Sequence, residues 1–276
     1  MYMAILLGSP SQPFRALLAF ILLVPVEALT NDIIFSSGFE QSSNPIVAHP
    51  LNDTGITYSM ADETCIDVSQ DCSYGRDATH NDDSDGHAGF SFTKLDMSGN
   101  ALSASATSWA CVRDNVTGHI WEVKTGNGGL RDFGNTYTWY NPDPETNGGD
   151  PGTADGGSCT GSDCDTASYV EAVNTLPVAL CGYRDWRIPW KEELLSIADY
   201  GRAFPAVDTD YFPWEPEQPG PHVWTDSAVA YYGGGIYWDV RMQTGEDFSH
   251  ADYISNRVRL VRHSSGFSLV AQREIP

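Results

Sequence analysis

The segment Asn81-Asp-Asp-Ser-Asp-Gly86 puts side-chain oxygens at Asn81, Asp83 and Asp85, followed by a glycine. That alternation matches the opening of a calcium loop, because hard Ca²⁺ takes six to eight oxygens and a tight turn can supply three. The closing bidentate glutamate of an EF-hand would fall at Phe92, so the segment is not an EF-hand. Its plainer reading is a solvated acidic turn. A second cluster lies further on: Trp214, Trp224, Tyr231, Tyr232, Tyr237 and Trp238, with Asp226 and Asp239 close in sequence. Flat aromatic faces beside carboxylates suit a sugar, whose C–H groups stack and whose hydroxyls donate. Trp224 and Trp238 sit inside strand-like segments and read as core, whereas Tyr231 and Tyr232, beside Gly233-Gly-Gly235, read as exposed. The candidate ligand-binding residues are therefore Tyr231, Tyr232, Trp214, Asp226 and Asp239, and the candidate metal ligands are Asn81, Asp83 and Asp85.

Catalytic signatures are missing. The histidines (His49, His80, His87, His119, His222, His250, His263) are scattered, and His119 reads as a packed strand residue. There is no Gly-x-Ser-x-Gly, no HExxH and no glycine-rich phosphate loop. Carboxylates are so abundant that no pair can be singled out as a glycosidase dyad. The expectation is a protein that is not an enzyme, with a secreted hydrolase as the remote alternative. Arg241, Arg257, Arg259, Arg262 and His263 form a local basic group, which Asp239, Glu246, Asp247 and Asp252 are expected to balance.

The charge limits the partners. With 15 Lys plus Arg against 37 Asp plus Glu, the net charge is −22. Such a chain repels nucleic acid, anionic lipid and sulfated sugars. At 41% hydrophobic and 12% aromatic residues, over 276 in all, it still has ample material for a core. Residues 16–26 (ALLAFILLVPV) form an apolar run of 11 after Arg15, and Val26-Glu-Ala28 offers small residues for cleavage. That is a signal-peptide pattern over 1–28, too short for a membrane span, so export to the periplasm, cell surface or medium is expected. Calcium is the only cofactor the sequence suggests.

Six cysteines fit an oxidising destination. Cys65 lies near Cys72, and Cys159 near Cys164, which leaves Cys111 for Cys181 as one of about fifteen connectivities. No C-x-x-C occurs, which argues against a cysteine zinc site.

These residues need elements to hold them. Residues 29–50 read as a tether, and Phe90, Phe92 and Lys94 as one short strand. Ala110–Val123 reads strand, turn, strand, with Asp114, Asn115 and Gly118 turning the chain. Tyr137–Tyr140 is a third short strand, followed by a Gly/Asp-rich loop over 141–165. A helix capped by Asp165 or Thr166 runs to about Leu176. A second follows Pro189, carries Glu192 and Glu193 in its first turn, and ends at Gly201. Later strands are expected at 223–225, 236–242 and 257–262, the last with its arginines facing out and its apolar residues facing in. The order reads α+β.

The motifs Cys111-Val-Arg-Asp-Asn-Val-Thr-Gly…Trp121-Glu, Tyr137-Thr-Trp-Tyr, Tyr169-Val-Glu-Ala-Val-Asn, Cys181-Gly-Tyr-Arg-Asp-Trp-Arg-Ile-Pro, Glu192-Glu-Leu-Leu, Val223-Trp-Thr-Asp and Val258-Arg-Leu-Val-Arg, with Tyr74-Gly-Arg-Asp upstream, resemble the DUF1566 family. That family is also called the Lcl C-terminal domain, after a collagen-like adhesin of Legionella. The resemblance covers roughly 51–263 and leaves 264–276 as a tail. It implies an exported bacterial domain of C-type-lectin-like architecture: short antiparallel strands, two helices and long loops, stapled by disulfides. For the adhesin itself it implies trimers and capture of sulfated glycosaminoglycans. This chain has no Gly-X-Y stalk to trimerise it, leaving oligomeric state open, and its charge is wrong for a polyanion. Trp190 stands where the family often has threonine, so the second helix lacks that side-chain cap. The expected role is an adhesion-type binding module for a glycan or surface protein; the alternative is a structural part of an envelope appendage.

Overall fold

The computed structural model describes residues 52–57, 75–76, 83–214, 222–230 and 234–263. The expected leader, the tether, Cys65, Cys72, Asn81, Tyr231, Tyr232 and the C-terminal tail lie outside the described residues. Seven strands and two helices follow in the order β1 (Phe92–Leu95), β2 (Cys111–Asp114), β3 (His119–Glu122), α1 (Thr166–Asn174), α2 (Lys191–Leu195), β4 (His222–Ala228), β5 (Ile236–Arg241), β6 (Glu246–Ala251) and β7 (Val261–His263). They make two antiparallel sheets, β1-β2-β3-β7 and β4-β5-β6. The α+β expectation holds. No described helix is long and apolar enough to cross a membrane.

The period of two along the strands explains why there are two cores. Successive side chains point to opposite sheet faces. Cys111, Ile120, Trp224 and Leu260 enter one core with Trp139, Tyr169 and Trp186. Their neighbours Val112, Trp121, Val223 and Val261 enter the other with Phe90, Phe92, Leu194 and Phe212. Both faces of these strands are therefore covered. α1 supplies Tyr169 and Val173 to the first core, and the Asp165 carboxylate caps it by accepting from the Ser168 N–H.

Two disulfides pin the frame. Cys111–Cys181 ties β2 to the segment leading to α2, and Cys159–Cys164 closes the end of the long loop. Both were expected, and both suit an oxidising compartment.

Four local expectations need correction. Tyr137–Tyr140 is not a strand: its backbone bridges Asn256, Asp165 and Gly152 in turn, so no single partner extends a ladder. α2 stops at Leu195, where the Ser196 hydroxyl bonds back to the Glu193 carbonyl, rather than running to Gly201. Trp238 is half-exposed with the Lys191 ammonium over its ring, not core. The arginines near β7 do not face water: Arg257, Arg259 and Arg262 are only 8%, 9% and 3% exposed. Their partners also differ from those expected. Arg262 makes a two-pronged bond to Asp185 and stacks on Tyr183, and Arg259 donates to the Glu122 carbonyl. The strand runs between two cores, so either side of it is interior.

Candidate functional site

Among the described residues, three open concavities are compared. One, about 460 Å³, runs past Asp96, Trp109, Asn127 and Arg131. Its charged groups are already committed. Asp96 accepts from the Ser98 and Asn100 N–H groups of its own loop, and Arg131 donates to the Val123 carbonyl. A second, about 420 Å³, holds Asp83, His87, Lys94, Arg202 and Asp208. Here the charges pair with one another, as in Arg202 with Asp199 and Asp208, and His87 with Asp199.

The third cleft is about 270 Å³. It lies between α1, the 139–141 segment and β4, and takes Tyr140, Asn141, Glu171 and Asp226 on its walls. Its walls are fixed. Trp139 stacks on Tyr237 with ring centroids 3.4 Å apart and donates its indole N–H to the Thr225 carbonyl. The Tyr140 N–H donates to the Thr166 hydroxyl, which donates back to the Tyr140 carbonyl at 2.8 Å, fastening the segment to the first residue of α1. The Asp226 N–H donates to the Pro189 carbonyl. An aromatic ring, an amide and two exposed carboxylates thus line one space, together with Arg187, whose guanidinium is bonded to Glu193.

The expected ligand set is only partly assembled. Asp226 opens onto this cleft. Trp214 packs against the second core with the Arg257 guanidinium 5.8 Å from its ring centroid, in a separate crevice. Asp239 is fully buried and spoken for: the His222 and His250 Nδ1 atoms each sit 2.5 Å from one of its oxygens. It does not meet a sugar hydroxyl where it stands, because the two imidazoles already occupy its oxygens. The calcium candidates are turned to local partners as well. Asp83 accepts from the Ala88 N–H, and Asp85 from the Ser91 hydroxyl. Neither belongs to a converging set of three ligand atoms among the described residues.

Two histidine–carboxylate clusters escaped the sequence reading. His119 and His263, paired across β3 and β7, both face Glu193 of α2. Arg187 grips the same carboxylate with two nitrogens at 2.6 and 2.7 Å, and the Trp190 N–H adds a bond from the helix start. The glutamate thereby closes the helix end that Trp190 cannot cap with a side chain. The other cluster is His222–Asp239–His250. His222 lies opposite Arg241 and His250 opposite Tyr237, so both are diagonal neighbours of Asp239 on one face of the sheet.

Residues 110–262 match the family described as the Lcl C-terminal domain. The chain belongs to that family. The match spans more than half of the chain and all of the elements from β2 to α2 and on through β6. No curated protein and no solved structure matches it. The family's matched region takes in the 270 Å³ cleft and both histidine clusters entire apart from His263.

Glu193 makes this family domain acid-sensitive. Burial opposes its ionisation, but hydrogen bonds from Arg187, His119 and His263 outweigh that and hold its carboxyl far below the usual carboxylate range. A carboxyl depressed on folding gives stability that is present in full above its unfolded value, near 4.5, and is lost as pH falls through the folded value. Wild-type urea midpoints should therefore fall steadily below about pH 4.5, and Glu193→Gln should flatten that acid limb. An acid limb of unchanged steepness in the variant would refute this role.

Proposed function

We propose that the chain is an exported, non-catalytic binding module of C-type-lectin-like build that recognises an uncharged glycan unit in the 270 Å³ cleft. The observation that supports it is the convergence of Tyr140, Asn141, Glu171 and Asp226 on a space of sugar size with a hydrogen-bonded wall. A ring takes the C–H face of a sugar, and the carboxylates and amide take its hydroxyls. The net charge of −22 selects against sulfated or otherwise anionic glycans. Glu171 and Asp226 both stand exposed, without the dry enclosure that a general acid of a hydrolase needs. The short apolar run before Ala28 and the two disulfides support delivery beyond the cytoplasm.

A glycan array probed with wild type, Tyr140→Ala and Asp226→Ala tests the proposal. The expected result is binding to a neutral glycan class, weakened roughly ten-fold or more by either substitution, as for lost contacts of about 1.4 kcal/mol. Repeating the array with EDTA decides whether calcium takes part. Silence on every glycan would overturn the reading, and co-purification with an appendage subunit would then assign the assembly role.

A further inference from the structure

We propose that His222, Asp239 and His250 form a binding site for a first-row divalent metal ion of the zinc class. The proposal stands apart from the glycan reading and rests on three observations.

The first is convergence. One ligand atom from each residue lies within 4.8 Å of the other two. The three side chains come from three adjacent strands, β4, β5 and β6, so the pairing register rather than a mobile loop sets their spacing. Two imidazoles and one carboxylate are a common donor set for zinc and its neighbours, with further positions left to water or ligand. Nitrogen donors disfavour calcium, which takes oxygen.

The second is charge. Asp239 is wholly buried, and among the described residues no Lys or Arg nitrogen is paired with it; its salt-bridge partners are the two imidazoles alone. A buried carboxylate is costly unless it is paired, and an imidazole offers it a cation only when it holds a second proton. A divalent ion supplies a permanent positive charge. The other histidine cluster makes the contrast. There the Arg187 guanidinium already occupies both oxygens of Glu193, so no charge is missing.

The third is access. The His222 and His250 side chains are partly exposed while Asp239 forms the floor, so an ion can enter from solvent. Phe248, itself 38% exposed, stands edge-on to His222 with ring centroids 5.2 Å apart and flanks the site with apolar surface. Tetrahedral ligands at about 2.0–2.1 Å from zinc stand about 3.3 Å apart; the present 2.5 Å contacts run to different Asp239 oxygens, so the rings must part from them and the carboxylate must turn one oxygen to the ion. On binding, the proton that each Nδ1 holds towards Asp239 passes to solvent, Nε2 carries the ring proton, taken up from solvent where it lacks one, and the freed Nδ1 lone pair goes to the ion. Asp239 contributes one carboxylate oxygen.

The test is calorimetric titration of the EDTA-stripped full chain with zinc chloride, in wild type, His222→Ala, His250→Ala and His263→Ala. One ion per chain is expected, with affinity falling at least ten-fold in His222→Ala and His250→Ala and unchanged in His263→Ala. Melting in EDTA checks that each variant folds; His250, the more exposed ligand, is the variant least exposed to that failure. Cobalt(II) loaded in place of zinc should give the visible bands of a low-coordinate nitrogen–oxygen site, and these should vanish in His250→Ala. No zinc uptake by wild type, undiminished uptake by both His222→Ala and His250→Ala, or an equal loss in His263→Ala would each overturn the proposal.

Discussion

Replacing Glu122 by alanine is expected to destabilise the domain by about 3–5 kcal/mol, the cost of leaving buried cations without their counter-ion. Glu122 ends β3, fully buried, and its carboxylate is a hub. One oxygen accepts from the Tyr169 hydroxyl and faces Lys124 at 3.4 Å and Arg131 at 3.7 Å. The other accepts from the Leu260 N–H, and the backbone carbonyl of the same residue accepts from Arg259. β3, α1 and the approach to β7 thus meet on one side chain. Burial alone would favour the neutral acid, but Lys124 and Arg131 outweigh it and hold the carboxyl below its ordinary value. Burial likewise brings the Lys124 ammonium down to about 8, with Glu122 opposing that drop. Without Glu122, Lys124 and Arg259 would be buried with nothing to balance them. Urea unfolding of Glu122→Ala and Glu122→Gln should show both weakened, the alanine more, because the amide keeps the shape and loses only the charge. A loss under about 1 kcal/mol in the alanine variant would show that the hub is dispensable.

Opening the Cys111–Cys181 bridge should be comparably severe. Its partners are 70 residues apart, and by the chain-entropy model a loop of that size restrains the unfolded chain by about 4 kcal/mol. Cys159 and Cys164 are only 5 apart, for which the same model gives about 2 kcal/mol. The Cys111→Ala/Cys181→Ala double variant should therefore lose about twice the stability lost by Cys159→Ala/Cys164→Ala. Both sulfurs of the longer bridge also lie in the first core, so alanine leaves a small void there. Equal losses in denaturant titrations would count against the loop-length account.

What could be read from the residues follows from how locally each signal is encoded. β2 and β3 announced themselves because two short apolar runs flank a turn of Asp114, Asn115 and Gly118, a pattern complete within fourteen residues. β6 did not, because Glu246-Asp-Phe-Ser-His-Ala251 carries almost no apolar face and owes its strand to β5 beside it. The buried arginines were misread for the same reason: alternation tells in from out only when one face of a strand meets water. The histidine clusters are wholly non-local. His222, Asp239 and His250 look scattered until the register is known, and then they are diagonal neighbours. Asp239 passed for an exposed ligand because a carboxylate among aromatics suggests a sugar site. A search for histidine and carboxylate on three consecutive strand candidates would have found the cluster, had β6 been recognised.

The order β1-β2-β3-β7 has a kinetic consequence. β3 is followed by well over a hundred residues before its second neighbour appears, and the Glu122 hub waits for Leu260 as well. A nascent polypeptide arrested anywhere before that point has an open sheet edge and half of a cation–carboxylate knot. It cannot lock into its final form while any of its closing segment remains inside the ribosome or a translocation pore. Threading and tertiary assembly are thereby kept in sequence by topology, and pairings this distant along the chain make the last step slow.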